Sequence, residues 1–375
     1  MRLALGAALL AACGEPPASP PAFDKQVLDT AFRAEGVAIV DIDRDGVLDL
    51  ATDQYWYRGP DFVPTEIRTP ETWDPADYSD AVGVWPRDLD GDGWLDLIVA
   101  PYAADAMYWY RNPQGAGGHW QRHLIAPELH AGMEVPVYVD LFGDGRGVML
   151  MGIENPGVLA WFEPAPDPFA PWIAHPISEQ GFGGAYRYYH GLGAGDVNGD
   201  GLVDVLTTAG WFEQTAARTS WPFHPLAIGP DPCSTMFARD VDGDGRADLP
   251  CAHPHSYGFD AWLQEADGTF TPRSIDTSIS QMHSVAMGDL DGDGIPELVS
   301  GKNWRAHPLG YGDPGDDDPA YLAYWTIEAD GTLERHDIDD DSGIGRTITI
   351  GDLDDDRDAD IVISNKKGLF VFRQR

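Results

Sequence analysis

Residues 88–100 read DLDGDGWLDLIVA, a run of acids at alternate positions that closes directly into an apolar, branched stretch. Oxygen side chains at the first, third, fifth and ninth positions, with glycine at the sixth, form a tight loop suited to a hard cation that takes about six to eight oxygen ligands. The pattern returns along the chain. It starts at Asp41, Asp88, Asp196, Asp240 and Asp289, and again at Asp352 with Arg357 in the glycine position. A seventh copy at Asp140 keeps the shape but places Phe142 and Val148 where two oxygen ligands belong. Successive starts are 44 to 63 residues apart. An EF-hand requires glutamate at the twelfth position and helices on both sides. Here that position is Val99 in one copy and Ser300 in another, and the flanks are strand-like, so the EF-hand reading fails.

The flanks repeat as well. A short apolar run precedes each loop (GVAIV, VPVYV, SVAMG, TITIG), a second follows it, and an aromatic run comes next (YWYR, YWYRN, AWFEP, GWFEQ, AYWTI, LFVFR). Most copies end with a fourth run such as HWQRHLI or TLERHDI. Four strands per repeat of about fifty residues is the pattern of a propeller blade. Seven blades occupy the chain from Phe23 to its last residue. The seventh aromatic strand has no fourth strand after it, while FDKQVL at 23–28 stands alone before the first repeat. The fold expected is an all-β, seven-bladed propeller in which the N-terminal strand completes the last blade and removes an open edge.

On these motifs the chain resembles the FG-GAP or VCBS repeat proteins, a group that includes integrin alpha heads, fungal propeller lectins and exported bacterial proteins. The resemblance implies calcium between the first and second strands of a blade, bound by side chains at positions one, three, five and nine. The ligands would be Asp41, Asp43, Asp45 and Asp49; Asp88, Asp90, Asp92 and Asp96; Asp196, Asn198, Asp200 and Asp204; Asp240, Asp242, Asp244 and Asp248; Asp289, Asp291, Asp293 and Glu297; and Asp352, Asp354, Asp356 and Asp360. About five or six ions are expected, with the Asp140 copy lacking ligands and Arg357 placing the Asp352 copy in question. Their role would be to staple the scaffold rather than to sense calcium.

The N-terminus reads MRLALGAALLAAC, an export signal too short to span a bilayer. Leu-Ala-Ala before Cys13 resembles a bacterial lipobox. The expected division is a lipoprotein signal at 1–12, a proline-rich tether at 13–22 beginning with lipidated Cys13, and the propeller at 23–375. The alternative is an ordinary secretory signal with an incidental cysteine. The location expected is the bacterial cell envelope, at the outer membrane or cell surface, with membrane contact through the lipid only and a monomeric body. A formal charge of -38 disfavours nucleic acid and anionic lipid as partners. Cys233 and Cys251 flank the first two strands of one blade, where the ends of an antiparallel pair meet. A disulfide is the expected state in an oxidising compartment, two buried thiols the alternative.

In a propeller the residues before strand one and those after strand two gather around the channel mouth, opposite the cation loops. His123, His175, His224 and His336 recur in the fourth strand and belong to the scaffold, with His119 a surface neighbour. The remaining histidines do not recur. The mouth should collect Tyr188, Tyr189, His190, His253, His255, His283, Lys302, Trp304, His307, Arg346 and Lys366, with His130, Glu134 and Asp341 nearby. The long insert after Lys302 is a candidate lid. A mostly acidic chain that gathers its cationic and titratable groups in one concavity points to a glycan or polar small molecule as ligand. An alternative is a carbohydrate lyase or dehydratase, with His190, His253, His255, His283, Lys302, His307 and Asp341 as catalytic candidates and a transition metal at the mouth. A third reading is a structural module docking another exported protein.

Overall fold

The computed structural model describes residues 20–102, 106–126, 134–226, 228–229, 231–307, 311–328 and 331–375. The stretch expected to be an export signal, Cys13, most of the expected tether and His130 lie outside them. Seven small sheets, built almost wholly from antiparallel neighbours, stand as the seven blades of a propeller. Among the described residues the only helical piece is the 3-10 turn Gly183–Ala185.

Each blade follows from the repeat. The second strands, such as Asp96–Ala100, Glu297–Gly301 and Asp360–Asn365, are buried at every residue because a neighbouring blade covers each face. Their sequences are accordingly apolar on both faces rather than alternating. The outermost strands are polar, and Val63–Glu66 is exposed throughout. The recurrent fourth-strand histidines lie on third-strand rings: His123 on Trp109 at 4.6 Å, His175 on Trp161 at 3.9 Å, His224 on Trp211 at 4.1 Å and His336 on Tyr324 at 4.8 Å. They serve as flat covers for the outer rim of the core, as their repetition predicts.

The ring closes as expected. Phe23–Asp29 pairs antiparallel with Gly368–Gln374, from Phe23 opposite Gln374 to Asp29 opposite Leu369, and forms the outer strand of the seventh blade. The fifth blade departs from the pattern. Its inner strand Met236–Phe237 pairs in parallel with Leu192–Gly195 of the fourth blade, and its flanks join its own blade through the Arg239–Asp248 bridge and a Ser234 N–H to Ala252 carbonyl bond of 2.8 Å. Gly193 permits this, since a Cβ there would stand 1.7 Å from the carbonyl oxygen of Met236. Cys233 and Cys251 form a disulfide across the first half of the fifth blade, and both are fully buried.

The loops between strands one and two share one conformation. The sixth-position glycines Gly46, Gly93, Gly201, Gly245 and Gly294 have φ between 86° and 88°. In the first blade the backbone N–H of Gly46 donates to Asp41 at 3.1 Å. Gly145 donates to Asp140 at 2.8 Å in the same way, so that copy keeps its turn without the Phe142 and Val148 positions. Arg357 also takes the turn, at φ 82°, and donates to Asp352 at 2.9 Å. A side chain in the left-handed region costs about 1–2 kcal/mol. Arg357→Gly is therefore expected to stabilise the protein by about 1 kcal/mol, offset in part by greater freedom in the unfolded chain. Urea unfolding checks this; an unchanged or lower midpoint would remove the strain argument.

The first strands surround an axial cavity of about 410 Å³ lined by Val37, Ile39, Val84, Val137, Tyr138 and Ile350 among others, with Arg346 at the mouth end.

Candidate functional site

Arg346 precedes the first strand of the seventh blade and is buried, with a side-chain exposure of 1%. Its guanidinium forms a close ion pair with Glu134, from the connection into the third blade, and stands 3.6 Å from Glu35, which precedes the first. Both acids are buried to the same degree. Three blades that are distant in sequence thus meet at one cation on the axis. Despite its burial, Glu134 is held well below the usual carboxylate range by the charge of Arg346 and by His190. The channel mouth is capped by this cluster.

Beside it lies a group of four histidines. His190 and His283 occupy the same position in their blades, and each has Nδ1 against the carbonyl oxygen two residues back, Tyr188 at 3.2 Å and Gln281 at 3.1 Å. A carbonyl accepts only, so Nδ1 carries a proton in each ring and Nε2 is the nitrogen left to face the mouth. Both Nε2 atoms are buried without a hydrogen-bond partner; that of His190 is 3.4 Å from Glu134. His255 lies at ring-centre distances of 4.7 Å from His190, 5.4 Å from His283 and 4.7 Å from His307. His307 Nδ1 is bonded to Asp313. Burial, with neighbouring imidazoles adding to it, pushes His255 down to about 4. Burial and the Arg346 charge hold His283 well below the ordinary range.

On the other side of Arg346 the mouth is aromatic and cationic. Tyr78 and Tyr102 stack at 3.7 Å, and Arg346 lies 5.8 and 5.5 Å from their ring centres. The Lys366 ammonium stands 4.5 Å over Tyr78. It is buried without a hydrogen-bond partner, and its burial lowers it to about 8.

The structure divides the candidates drawn from sequence. His190, His255, His283, His307, Arg346 and Lys366 come together with Glu134. Tyr188 is exposed at the rim, 6.2 Å from Tyr102, and Tyr189 packs into the core of the third and fourth blades. His253 turns away, with Nε2 3.1 Å from Asp260 and Nδ1 toward the carbonyl of Tyr257. Asp341 is 76% exposed and paired with Lys367, which also lies over Trp304. Lys302 donates to the carbonyls of Asp316 and Asp318 at 3.1 and 2.8 Å, fastening the insert, and Gln281 adds a bond to Asp316 at 2.8 Å. The described part of the insert is thereby tied down over the fifth and sixth blades, and it delivers Asp313 to the histidines.

Asp313, Glu35, Tyr78 and Tyr102 escaped the sequence reading. Each lies in a connection without repeat signal. Asp313 belongs to the acid-rich GDPGDDDP within the insert, which was the one available hint.

Several solved structures are similar to the chain. The N-terminal BBS1 domain in its complex with ARL6 superposes with a TM-score of 0.55 at 10% identity, covering 93% of this chain and 95% of that one. An Agrocybe aegerita lectin described as recognising non-reducing terminal N-acetylglucosamine has 16% identity, a TM-score of 0.48 and coverage of 78% and 79%. The V. cholerae biofilm matrix protein Bap1 has 11% identity, a TM-score of 0.45 and coverage of 92% and 80%. No curated protein matches the chain. The family model of FG-GAP-like repeats matches residues 88–151 and 240–300, and the chain accordingly carries FG-GAP-like repeats on a seven-bladed β-propeller.

Proposed function

We propose that this propeller is an extracytoplasmic, calcium-stabilised binding module whose channel mouth takes an anionic polar molecule or an acidic glycan. The observation that carries the reading is Lys366, a buried ammonium at the mouth without a hydrogen-bond partner. A buried cation left unpaired costs several kcal/mol, and an anionic group on a ligand removes that cost. The stacked Tyr78 and Tyr102 rings beside it offer flat amphipathic surface suited to a sugar face. Arg346 is already committed to Glu134 and Glu35, which leaves Lys366 as the recognising charge.

Calcium fits the loops. Carboxylate oxygens of Asp41, Asp43 and Asp45 lie within 4.8 Å of one another, as do those of Asp88, Asp90 and Asp96. When bound, the ion would neutralise these clustered acids and tie the two inner strands of a blade together. Arginines at the third-strand ends reach the same acids in three blades, Arg58 to Asp43 and Asp45, Arg111 to Asp90 and Asp92, and Arg373 to Asp354. Anchoring through Cys13 would hold the module at the cell envelope.

The test is a binding screen of uronate-containing and neutral oligosaccharides, with small sugar acids, against the protein and its Lys366→Met variant. Binding confined to acidic members and weakened about tenfold or more by the substitution is the expected result. Equal binding by the variant, or no acidic ligand in the panel, would overturn the reading. Turnover of a bound acidic sugar would move the assignment to the lyase alternative.

A further inference from the structure

We infer that His190, His255 and His283 form a binding site for one zinc-class transition metal ion at the channel mouth, separate from the calcium loops and independent of which ligand the mouth takes. One donor nitrogen from each residue lies within 4.8 Å of the other two. The geometry is that of ligands around a shared point. Imidazoles bound at ~2.0–2.1 Å around a single tetrahedral ion hold their ring centres ~5 Å apart. These three are separated by 4.7, 5.3 and 5.4 Å, with their planes inclined at 80°, 65° and 89°. His307 differs, because it lies nearly parallel to His255 at 23° and is bonded to Asp313.

The hydrogen bonds behind the rings point the same way. A ligating histidine characteristically donates its other N–H to a carbonyl or carboxylate, which fixes the tautomer and aims the lone pair. His190 and His283 do this through the carbonyls of Tyr188 and Gln281. Their Nε2 atoms are buried without a hydrogen-bond partner, as is Nδ1 of His255, which stands 3.8 Å from Asp313. Three buried ring nitrogens left without hydrogen bonds in one spot are costly, and a metal ion bound by imidazole nitrogens would remove that cost.

Imidazole donors select zinc, copper, nickel or iron over calcium and magnesium, which prefer oxygen. Three histidines leave a coordination position for water or a ligand oxygen. Glu134 is the nearest acid to complete or polarise that position, 3.4 Å from His190.

The experiment measures metal content of the purified protein by elemental mass spectrometry after equilibration with micromolar zinc in millimolar calcium. About one zinc per chain is expected, with affinity reduced about tenfold or more in His190→Gln, His255→Gln and His283→Gln. His253→Gln, outside the cluster, should retain zinc fully. Cobalt(II) added to the unsubstituted protein should give the intense visible bands of a low-coordinate nitrogen site, a readout that requires no variant to fold. Zinc well below one equivalent together with absent cobalt bands would overturn the inference, as would variants that bind zinc like the parent. Failure of the oligosaccharide screen with zinc retained would leave the metal site standing and remove only the ligand reading.

Discussion

Arg346→Met is expected to lower the unfolding free energy by about 3–5 kcal/mol, the range seen when one partner of a buried ion pair is removed. The arginine is 1% exposed and the two carboxylates it serves are 0% and 2% exposed, so neither can recover solvation when the guanidinium is lost. The charge also joins the first, third and seventh blades across the axis, and no other described cation contacts both acids. Glu134 supplies a check on sign. Its folded pKa is depressed by Arg346, so its contribution is present above the unfolded carboxylate pKa and is lost as pH falls through the folded value. Arg346→Met should therefore lose the most stability at neutral pH and less in acid. Adding Glu134→Gln to the variant should restore part of the loss, because a neutral amide is easier to bury than an unpaired carboxylate. Denaturant unfolding of both variants is the measurement, and a loss under about 1 kcal/mol would mean that the axis tolerates bare carboxylates.

Calcium removal should have a comparable effect with a distinctive pH profile. If each loop binds with a dissociation constant of ~0.1 mM against ~1 mM calcium, mass action gives ~1.4 kcal/mol per site, or ~8 kcal/mol for six. At about 2 °C per kcal/mol, chelation at pH 7.5 should lower the melting temperature by at least about 10 °C. The ninth-position carboxylates set the pH dependence. Burial raises Asp96 to about 7, Glu297 to about 7 and Asp204 to about 6, and raises Asp49, Asp248 and Asp360 as well. With folded values above unfolded ones, the folded chain holds more protons between about pH 4 and 7, and its stability falls as pH rises through that window. The chelated protein should then melt several degrees higher at pH 5 than at pH 7.5, and restored calcium should flatten or invert that order. Calorimetry at both pH values, with calcium alone added back, decides. A melting temperature unmoved by chelation would remove the stapling role.

The sequence made the architecture legible because a blade is a local unit stated seven times. Asp at the first loop position and glycine at the sixth set the turn even at Asp140, where other ligands are missing, so the repeat was visible through its exceptions. Ring closure by Phe23–Asp29 followed from counting strands. The mouth was legible only in outline. His253 and His255 are two residues apart, yet one bonds Asp260 within its own blade while the other faces His190 and His283. Nothing in local periodicity distinguishes them, because the turn after the second strand and the curvature of the ring decide which side chain faces the axis. Lys302 read as a functional cation, but its repeat equivalents Gln54 and Asn365 also donate to carbonyls of a connecting segment. The amide at those positions was the available clue that the lysine fastens backbone.

The seam in the seventh blade also governs the order of assembly. Its pairs join residues 23–29 to residues 369–374, a separation that spans nearly the whole propeller. Closing a flexible loop of that length costs roughly 5 kcal/mol by chain statistics, whereas each hairpin inside a blade closes over a few residues. Blades can consequently form while synthesis proceeds, but the ring cannot lock until residues 369–374 have been made and can reach residues 23–29. Until then Phe23–Asp29 has no strand to pair with, and this is the interval in which the chain is most open to pairing with another copy.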